Sequence, residues 1–287
     1  MSPRQEPRPT TTRPTTRKPP FVPAGHDVES GTLKAQLTRL GLHSMAAHCE
    51  VEADRAAKSE TTYTAYLTRL VELELADKTD RSVNARIARA RFPVLRTLEA
   101  FDFSFQPGLP AARVRELANL AFLDQATNLL FGGGPGVGKT HLAIGLALKA
   151  CAARRSVLFT EAPALLDQLV AADVSRTLGK LLDQLRRLDL LVVDELGYLP
   201  MDGRRANLFF QLVAARYTRG SILVTSNVSF DGWGTLFGND VIASAILDRL
   251  LHQSEIFAIS GPSYRLKDKR PAGTASAAGP VAPERPT

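Results

Sequence analysis

The sequence predicts an α/β protein built on a parallel sheet, with a smaller helical region ahead of it. Three observations carry this. From about Phe101 to Ile259, short apolar runs alternate with helical stretches, the order that yields parallel strands covered by helices on both faces. A glycine-rich loop, Gly133-Gly134-Pro135-Gly136-Val137-Gly138-Lys139-Thr140, falls between one such run and one such helix. From Gly31 to Ala90, apolar residues recur at spacings of three and four, the period of amphipathic helices.

Length and charge set the frame. With 287 residues, 44% of them apolar, the chain can hold one or two domains with a sizeable core. A formal net charge of +7 points to an acidic partner, nucleic acid first. The two cysteines, Cys49 and Cys151, are far apart and lack metal-ligand spacing. They fit a reducing compartment, with buried thiols and no disulfide framework. No apolar run reaches the length of a membrane span, and no apolar segment follows the basic N-terminus to make a secretory signal. A cytoplasmic protein with no membrane partner is expected.

Residues 1–25, rich in Pro, Thr and Arg, are expected to form a disordered basic tail, and residues 268–287, rich in Pro, Ala, Gly and Ser, another. Residues 26–97 are expected to form a helical N-terminal domain. Leu33, Leu37 and Leu40, then Tyr66, Leu67, Leu70, Val71 and Leu73 mark its apolar faces, and Ser59-Glu60-Thr61-Thr62 offers caps ahead of a helix opening at Tyr63. Pro93 is expected to end that helix. Its last part carries Arg81, Arg86, Arg89 and Arg91 on the polar side, and no acid interrupts the stretch from Arg81 to Arg96. These arginines are the candidate DNA-binding surface, with a merely solvated face as the competing reading.

Residues 98–267 carry the alternating pattern. Strands are expected at Asn128–Phe131, Ser156–Thr160, Leu190–Val193, Ser221–Thr225 and Ile256–Ile259. Helices are expected at His141–Ala150, Pro163–Ala172, Leu178–Arg187, Arg204–Arg216 and Val241–Leu251.

The chemistry starts at the glycine loop. A strand, a glycine turn and a helix together aim backbone N–H groups at a phosphate lying on the positive end of the helix. The glycines admit backbone angles that other residues avoid. Lys139 is placed to reach the terminal phosphates of ATP, and the Thr140 hydroxyl to ligate magnesium. The run Leu190-Leu191-Val192-Val193 delivers two acids at its end, 55 and 56 residues beyond Lys139. Asp194 can serve the metal opposite Thr140, and Glu195 can orient a water for attack on the γ-phosphate. A kinase needs a bound acceptor rather than an activated water, so this pair favours hydrolysis.

The next strand ends in Thr225-Ser226-Asn227. If that strand lies between the other two, Asn227 can reach the γ-phosphate or the attacking water; a turn-forming Asn is the competing reading. Arg249, late on the following helix, can enter the nucleotide site of a neighbouring subunit. An ordinary helix-end cation is its competing reading. Arg265 is a candidate for a second phosphate contact. His141 reads as a packed helix residue, and Trp233, among the glycines of Asp231-Gly232-Trp233-Gly234, as a loop anchor.

Taken together, these blocks resemble the IstB family, the ATP-binding helpers of bacterial insertion sequences, within the AAA+ clade that also contains the helicase loader DnaC. The resemblance rests on Ala90-Arg-Phe-Pro93, Phe101-Asp-Phe103, the loop with Thr140-His141-Leu142, and Leu191-Val-Val-Asp-Glu-Leu-Gly-Tyr-Leu-Pro200. It continues through Arg216-Tyr217, Thr225-Ser-Asn227, Ala245-Ile-Leu-Asp-Arg-Leu-Leu-His252 and Ser263-Tyr-Arg-Leu-Lys267. It implies an AAA+ P-loop ATPase core with a parallel five-stranded sheet flanked by helices, preceded by a small helical domain that contacts DNA and partner proteins. It further implies subunits that assemble with ATP at their junctions on duplex DNA, with little sequence preference, and that recruit and stimulate a transposase. On matching positions Asn227 acts as sensor and Arg249 as a finger in trans. Val137 stands where Thr is commoner in such ATPases, and Gln253 where the family often has a second His. The rival readings are a DnaC-like helicase loader, a scaffold that binds ATP without hydrolysing it, and a small-molecule kinase.

Overall fold

The computed structural model of the protein describes residues 30–197 and 201–267. The two tails expected at residues 1–25 and 268–287 lie outside the described residues, as do Tyr198, Leu199 and Pro200. Backbone contacts divide the chain into two compact units, with the division between Asp77 and Lys78.

The first unit is helical. Helices α1 (Ser30–Arg39) and α2 (His43–Lys58) are joined by a turn in which Gly41 takes φ +72°, and a third helix, α3 (Tyr63–Ala90), runs on through the division. The expected cap is present: the Thr62 hydroxyl accepts the Ala65 N–H at 3.3 Å. Few apolar residues are buried here, chiefly Ala46, Cys49 and Leu70. Polar contacts supplement them. The buried Glu74 carboxylate accepts the N–H groups of Ser44 (2.8 Å) and Met45 (3.0 Å), taking up donors that the first turn of α2 leaves unpaired. The Tyr66 hydroxyl donates to the Cys49 carbonyl at 3.0 Å. Helix α3 ends at Ala90, before Pro93 requires it, because Arg91 turns left-handed at φ +61°.

The second unit contains a sheet of five parallel strands: β1 (Asn128–Gly133), β2 (Val157–Glu161), β3 (Leu190–Leu196), β4 (Ser221–Ser226) and β5 (Ser254–Ile259). Their spatial order is β2-β3-β4-β1-β5, so β4 lies between the glycine-loop strand and the strand bearing the acids. Short helices α4 (Ala111–Glu116) and α5 (Ala121–Asp124) precede β1. Then follow α6 (Lys139–Ala152), α7 (Ala162–Val174), α8 (Leu178–Arg186), α9 (Gly203–Arg216), α10 (Trp233–Phe237) and α11 (Asp240–Leu251).

Alternation along each strand splits the core in two. Leu129, Phe131, Leu190, Val192 and Leu223 face α6 and the segments ahead of β1. Leu130, Leu191, Val193, Ile222 and Val224 face α7, α9 and α11. A sheet buried on both faces is why its strands read as continuous apolar runs. Several strands outrun those runs by one to three residues, to Gly133, Leu196 and Ser226, and the overhang of β3 sets Asp194 and Glu195 beside Thr225 at one end of the sheet.

Two details depart from expectation or add to it. Trp233 opens the short helix α10 rather than anchoring a loop, and its buried ring meets Phe237 edge-on at 5.6 Å. Arg216, at the end of α9, is 1% exposed and donates to the carbonyls of Leu185, Leu188 (3.1 Å) and Ser221 (2.8 Å). Among the described residues, no helix is long and apolar enough to cross a membrane.

Candidate functional site

The site is built where β1 gives way to α6. Gly133, Gly136 and Gly138 take φ values of +150°, +77° and +103°, which L side chains rarely adopt. Space forbids side chains there as well. A Cβ would come within 2.1 Å of the Ile259 carbonyl oxygen at Gly133, 2.0 Å of the Ser263 hydroxyl at Gly136, and 2.5 Å of the Phe101 ring at Gly138. Gly138 leads directly into α6, so the loop runs onto the positive end of a helix.

Lys139 is folded back on that loop, donating to the carbonyls of Gly133 and Gly134 at 2.7 Å each. Burial pulls its ammonium below the usual lysine value; the nearby carboxylates of Asp194 and Glu195 oppose this, and Arg265 adds to it. The Thr140 hydroxyl donates to both carboxylate oxygens of Asp194 at 3.0 Å. Asp194 is buried at the end of β3, while Glu195 is exposed.

Lys139, Thr140 and Glu195 open onto one cavity of about 490 Å³, with Asp194 behind Thr140, within the size range of small-ligand sites. Loop residues Pro135 to Thr140, with Glu195, Asn227 and Arg265, give it a polar side, and Val94, Phe101, Ile144 and Tyr264 an apolar one. The structure therefore brings Lys139, Thr140, Asp194, Glu195, Asn227 and Arg265 together. It keeps Arg249 elsewhere. On α11 the Arg249 guanidinium lies 4.7 Å from the centre of the Phe210 ring and donates to the Ala245 carbonyl at 3.0 Å. It does not line the cavity.

Of the basic residues at the end of α3, Arg81, Arg89 and Arg91 are exposed. Arg86 differs from the polar face expected for it. It is half-buried with Nε withdrawn from solvent, and its charge opposes the burial that pushes the Cys151 thiol up to about 11.

Several residues of the site carried no chemical signal in the sequence. The segment Gly261–Lys267 closes one side: Tyr264 N–H donates to the Gly136 carbonyl at 2.9 Å, and Gln106 Nε2 to the Pro262 carbonyl at 3.1 Å. Lys267 pairs with Asp102 at 3.0 Å. Bonds from Ser104 and then from Lys267 hold the Asp102 carboxyl down at about 2. His141 packs against the segment ahead of β1 and also lines the cavity. Its Nε2 donates to the Thr97 carbonyl at 2.8 Å, and its ring meets Phe101 edge-on at 5.2 Å.

Thr140 and Asp194 supply one hydroxyl and one carboxylate side by side. That donor set suits magnesium, which takes few protein ligands and completes its shell with phosphate oxygens and water. Among the described residues, no cluster of three or more His, Cys, Asp or Glu side chains offers an all-protein metal site.

The family model described as "IstB-like ATP binding protein" matches residues 35–272. The insertion sequence IS21 putative ATP-binding protein of Pseudomonas aeruginosa is 45% identical over 241 residues, covering 84% of this chain and 91% of that one. The IS5376 putative ATP-binding protein of Geobacillus stearothermophilus is 42% identical over 232 residues, covering 81% and 92%. Among solved structures, AMPPCP-bound DnaA from Aquifex aeolicus superposes with a TM-score of 0.50 at 20% identity, covering 62% of this chain and 54% of that one. This last likeness speaks to the fold alone. The chain, an AAA+ P-loop core with a helical region ahead of it, belongs to the IstB-like family of insertion-sequence ATP-binding proteins.

Proposed function

We propose that the protein is a magnesium-dependent ATPase that assembles on DNA and serves a transposase during insertion-sequence transposition. One observation carries the reading: Thr140 hydrogen-bonded to Asp194, with Glu195 and Asn227 on the wall of the same cavity. Loop residues Gly133 to Thr140 hold the phosphates through backbone N–H groups. Lys139 exchanges its two loop carbonyls for phosphate oxygens when ATP enters. Thr140 and Asp194 would hold magnesium, which would supply neutralisation of charge on the transferring phosphoryl group. Glu195 orients the attacking water and accepts its proton, and Asn227 holds that water or the γ-phosphate. The water oxygen bonds to the γ-phosphorus as the bond to the bridging oxygen breaks, and ADP and phosphate leave.

Arg249 is placed outside its own cavity on a surface helix, which suits delivery to a neighbouring subunit. ATP is then bound at subunit junctions of a homo-oligomer. Arg265, on the wall of its own cavity, serves as a second phosphate contact. The helical region at residues 26–97, with Arg81, Arg89 and Arg91 exposed at its end, faces duplex DNA and the transposase. Arg86 stands at the edge of that surface.

The test is ATP hydrolysis measured without DNA, with duplex and with single strand, alongside the mass of each complex. Stimulation by duplex together with a large ATP-dependent assembly supports this function. A preference for single strand without large assemblies refutes it in favour of a helicase loader.

A further inference from the structure

The ladder between β3 and β4 breaks at the site. Val193 pairs with Val224 and Leu196 with Ser226, so two residues of β3, Asp194 and Glu195, stand opposite the single residue Thr225. A bulge of this kind takes one residue off the ladder and re-aims side chains. Here Glu195 adopts φ +58°, an uncommon left-handed conformation for a residue with a long side chain. A conformation of that cost persists only where its surroundings hold it.

Thr225 supplies the hold. Its hydroxyl accepts the Glu195 N–H at 3.0 Å, in place of the main-chain partner that the bulge removes. The same hydroxyl donates its hydrogen to Asp194 Oδ1 at 2.5 Å. Thr225 is 0% exposed, so neither bond competes with bulk water. One hydroxyl, with one hydrogen to give and lone pairs to accept with, thus ties the carboxylate of one acid to the backbone of the next. Asn227 follows two residues later and also lines the cavity.

We propose that Thr225 is a positioning residue for ATP hydrolysis: its hydroxyl locks the Asp194–Glu195 bulge, and so fixes the acid that serves the metal relative to the acid that serves the water. The proposal rests on the reading of Glu195 as the group that orients water. Valine matches threonine in shape and lacks only the hydroxyl, which makes Thr225→Val the cleanest perturbation. It leaves the Glu195 N–H without this partner and Asp194 Oδ1 with Thr140 as its remaining hydroxyl donor, while the glycine loop stays intact. The effect therefore belongs in kcat and not in nucleotide affinity.

The experiment uses the full chain in four forms beside wild type: Thr225→Val, Thr225→Ser, Glu195→Gln, and Thr225→Val combined with Glu195→Gln. Steady-state hydrolysis is measured with magnesium, together with affinity for a fluorescent ATP analogue and the thermal unfolding midpoint. Thr225→Val is expected to lower kcat about tenfold or more with analogue affinity within about threefold of wild type. Thr225→Ser is expected to recover the rate to within about threefold, and adding Thr225→Val to Glu195→Gln to lower the residual rate less than about twofold, because both changes disable one unit. A Thr225→Val rate within about twofold of wild type, beside a crippled Glu195→Gln, overturns the proposal alone. Loss of analogue binding that serine does not restore also overturns it, since that is the mark of packing. A normal rate in Glu195→Gln overturns the reading of Glu195 and the proposal with it.

Discussion

Replacing Arg216 by methionine separates the stability of the sheet from the chemistry at its far end. The guanidinium is 1% exposed and donates to three main-chain carbonyls, those of Leu185, Leu188 and Ser221. Methionine fills similar volume and donates nothing, so those acceptors stay buried without this donor. The Leu185 carbonyl keeps the Leu188 N–H at 3.4 Å, so the two others, at about 1–3 kcal/mol each, make the loss roughly 4 kcal/mol. A gain opposes it. Burial pulls the guanidinium down to about 10, well below a free arginine, with only Asp189 pulling the other way. At about 1.4 kcal/mol per pH unit, holding the charge there costs roughly 3 kcal/mol, and methionine removes that cost. The net expectation is a destabilisation of about 1 kcal/mol, which in a unit of this size lowers the thermal midpoint by roughly 2–4 °C. Circular dichroism melts of both proteins, with urea titrations to give free energies, make the measurement. Arg216 contacts Ser221, the first residue of β4, whereas the cavity opens at the strand's other end. ATP-analogue affinity at 15 °C should therefore match wild type. A midpoint within about 1 °C of wild type would refute the reasoning, because the three carbonyls would then need no charged donor.

Other expectations follow from the site and its surface. Lys139→Ala should fail to assemble on DNA with ATP, while Glu195→Gln should trap ATP and prolong the DNA-bound assembly; equal DNA residence times for Glu195→Gln and wild type would sink the coupling of hydrolysis to release. Asp102, depressed to about 2 by Ser104 and then Lys267, contributes stability that is present above the ordinary carboxylate range and lost as pH falls through about 2. In Lys267→Ala the Asp102 midpoint should rise while remaining below the ordinary range, because Ser104 still donates to it; carbon-detected NMR titration reads this directly. Arg89→Ala with Arg91→Ala should weaken DNA binding across all sequences and reduce the salt slope by about 2. An unchanged slope in filter-binding titrations removes these two side chains from the DNA surface.

What the sequence disclosed and what it hid divide along a physical line. The loop from Gly133 to Thr140 and the acids after Val193 were legible because their chemistry is encoded in consecutive residues with a strand on one side. The five strands were legible because both faces of the sheet are buried, which leaves runs such as Leu190 to Val193 with no polar residue. Their polar extensions were not, because Glu195 and Ser226 carry no β-strand signature. Thr225 was visible as the end of an expected strand and a neighbour of Asn227, not as a link between the two acids. Its part depends on a register break between two strands that only pairing across the sheet reveals. Phe101 and Tyr264 line the cavity through contacts formed between distant stretches of chain. Arg86 turned partly inward for a related reason: helical spacing assigns a face, but not what packs against the edge of that face.

The turn from Gly261 to Lys267 gives the protein a site whose wall is its own late chain. The Tyr264 N–H grips the Gly136 carbonyl, and Ser263 occupies the space that a side chain at Gly136 would need. The cavity wall is therefore completed only after β5 has joined the sheet and the chain has doubled back. During synthesis, the loop residues leave the ribosome long before the segment that finishes their pocket. A nascent chain can thus carry the glycine loop without yet possessing the finished cavity, and on the proposed function competence to bind ATP waits for the turn from Gly261 to Lys267.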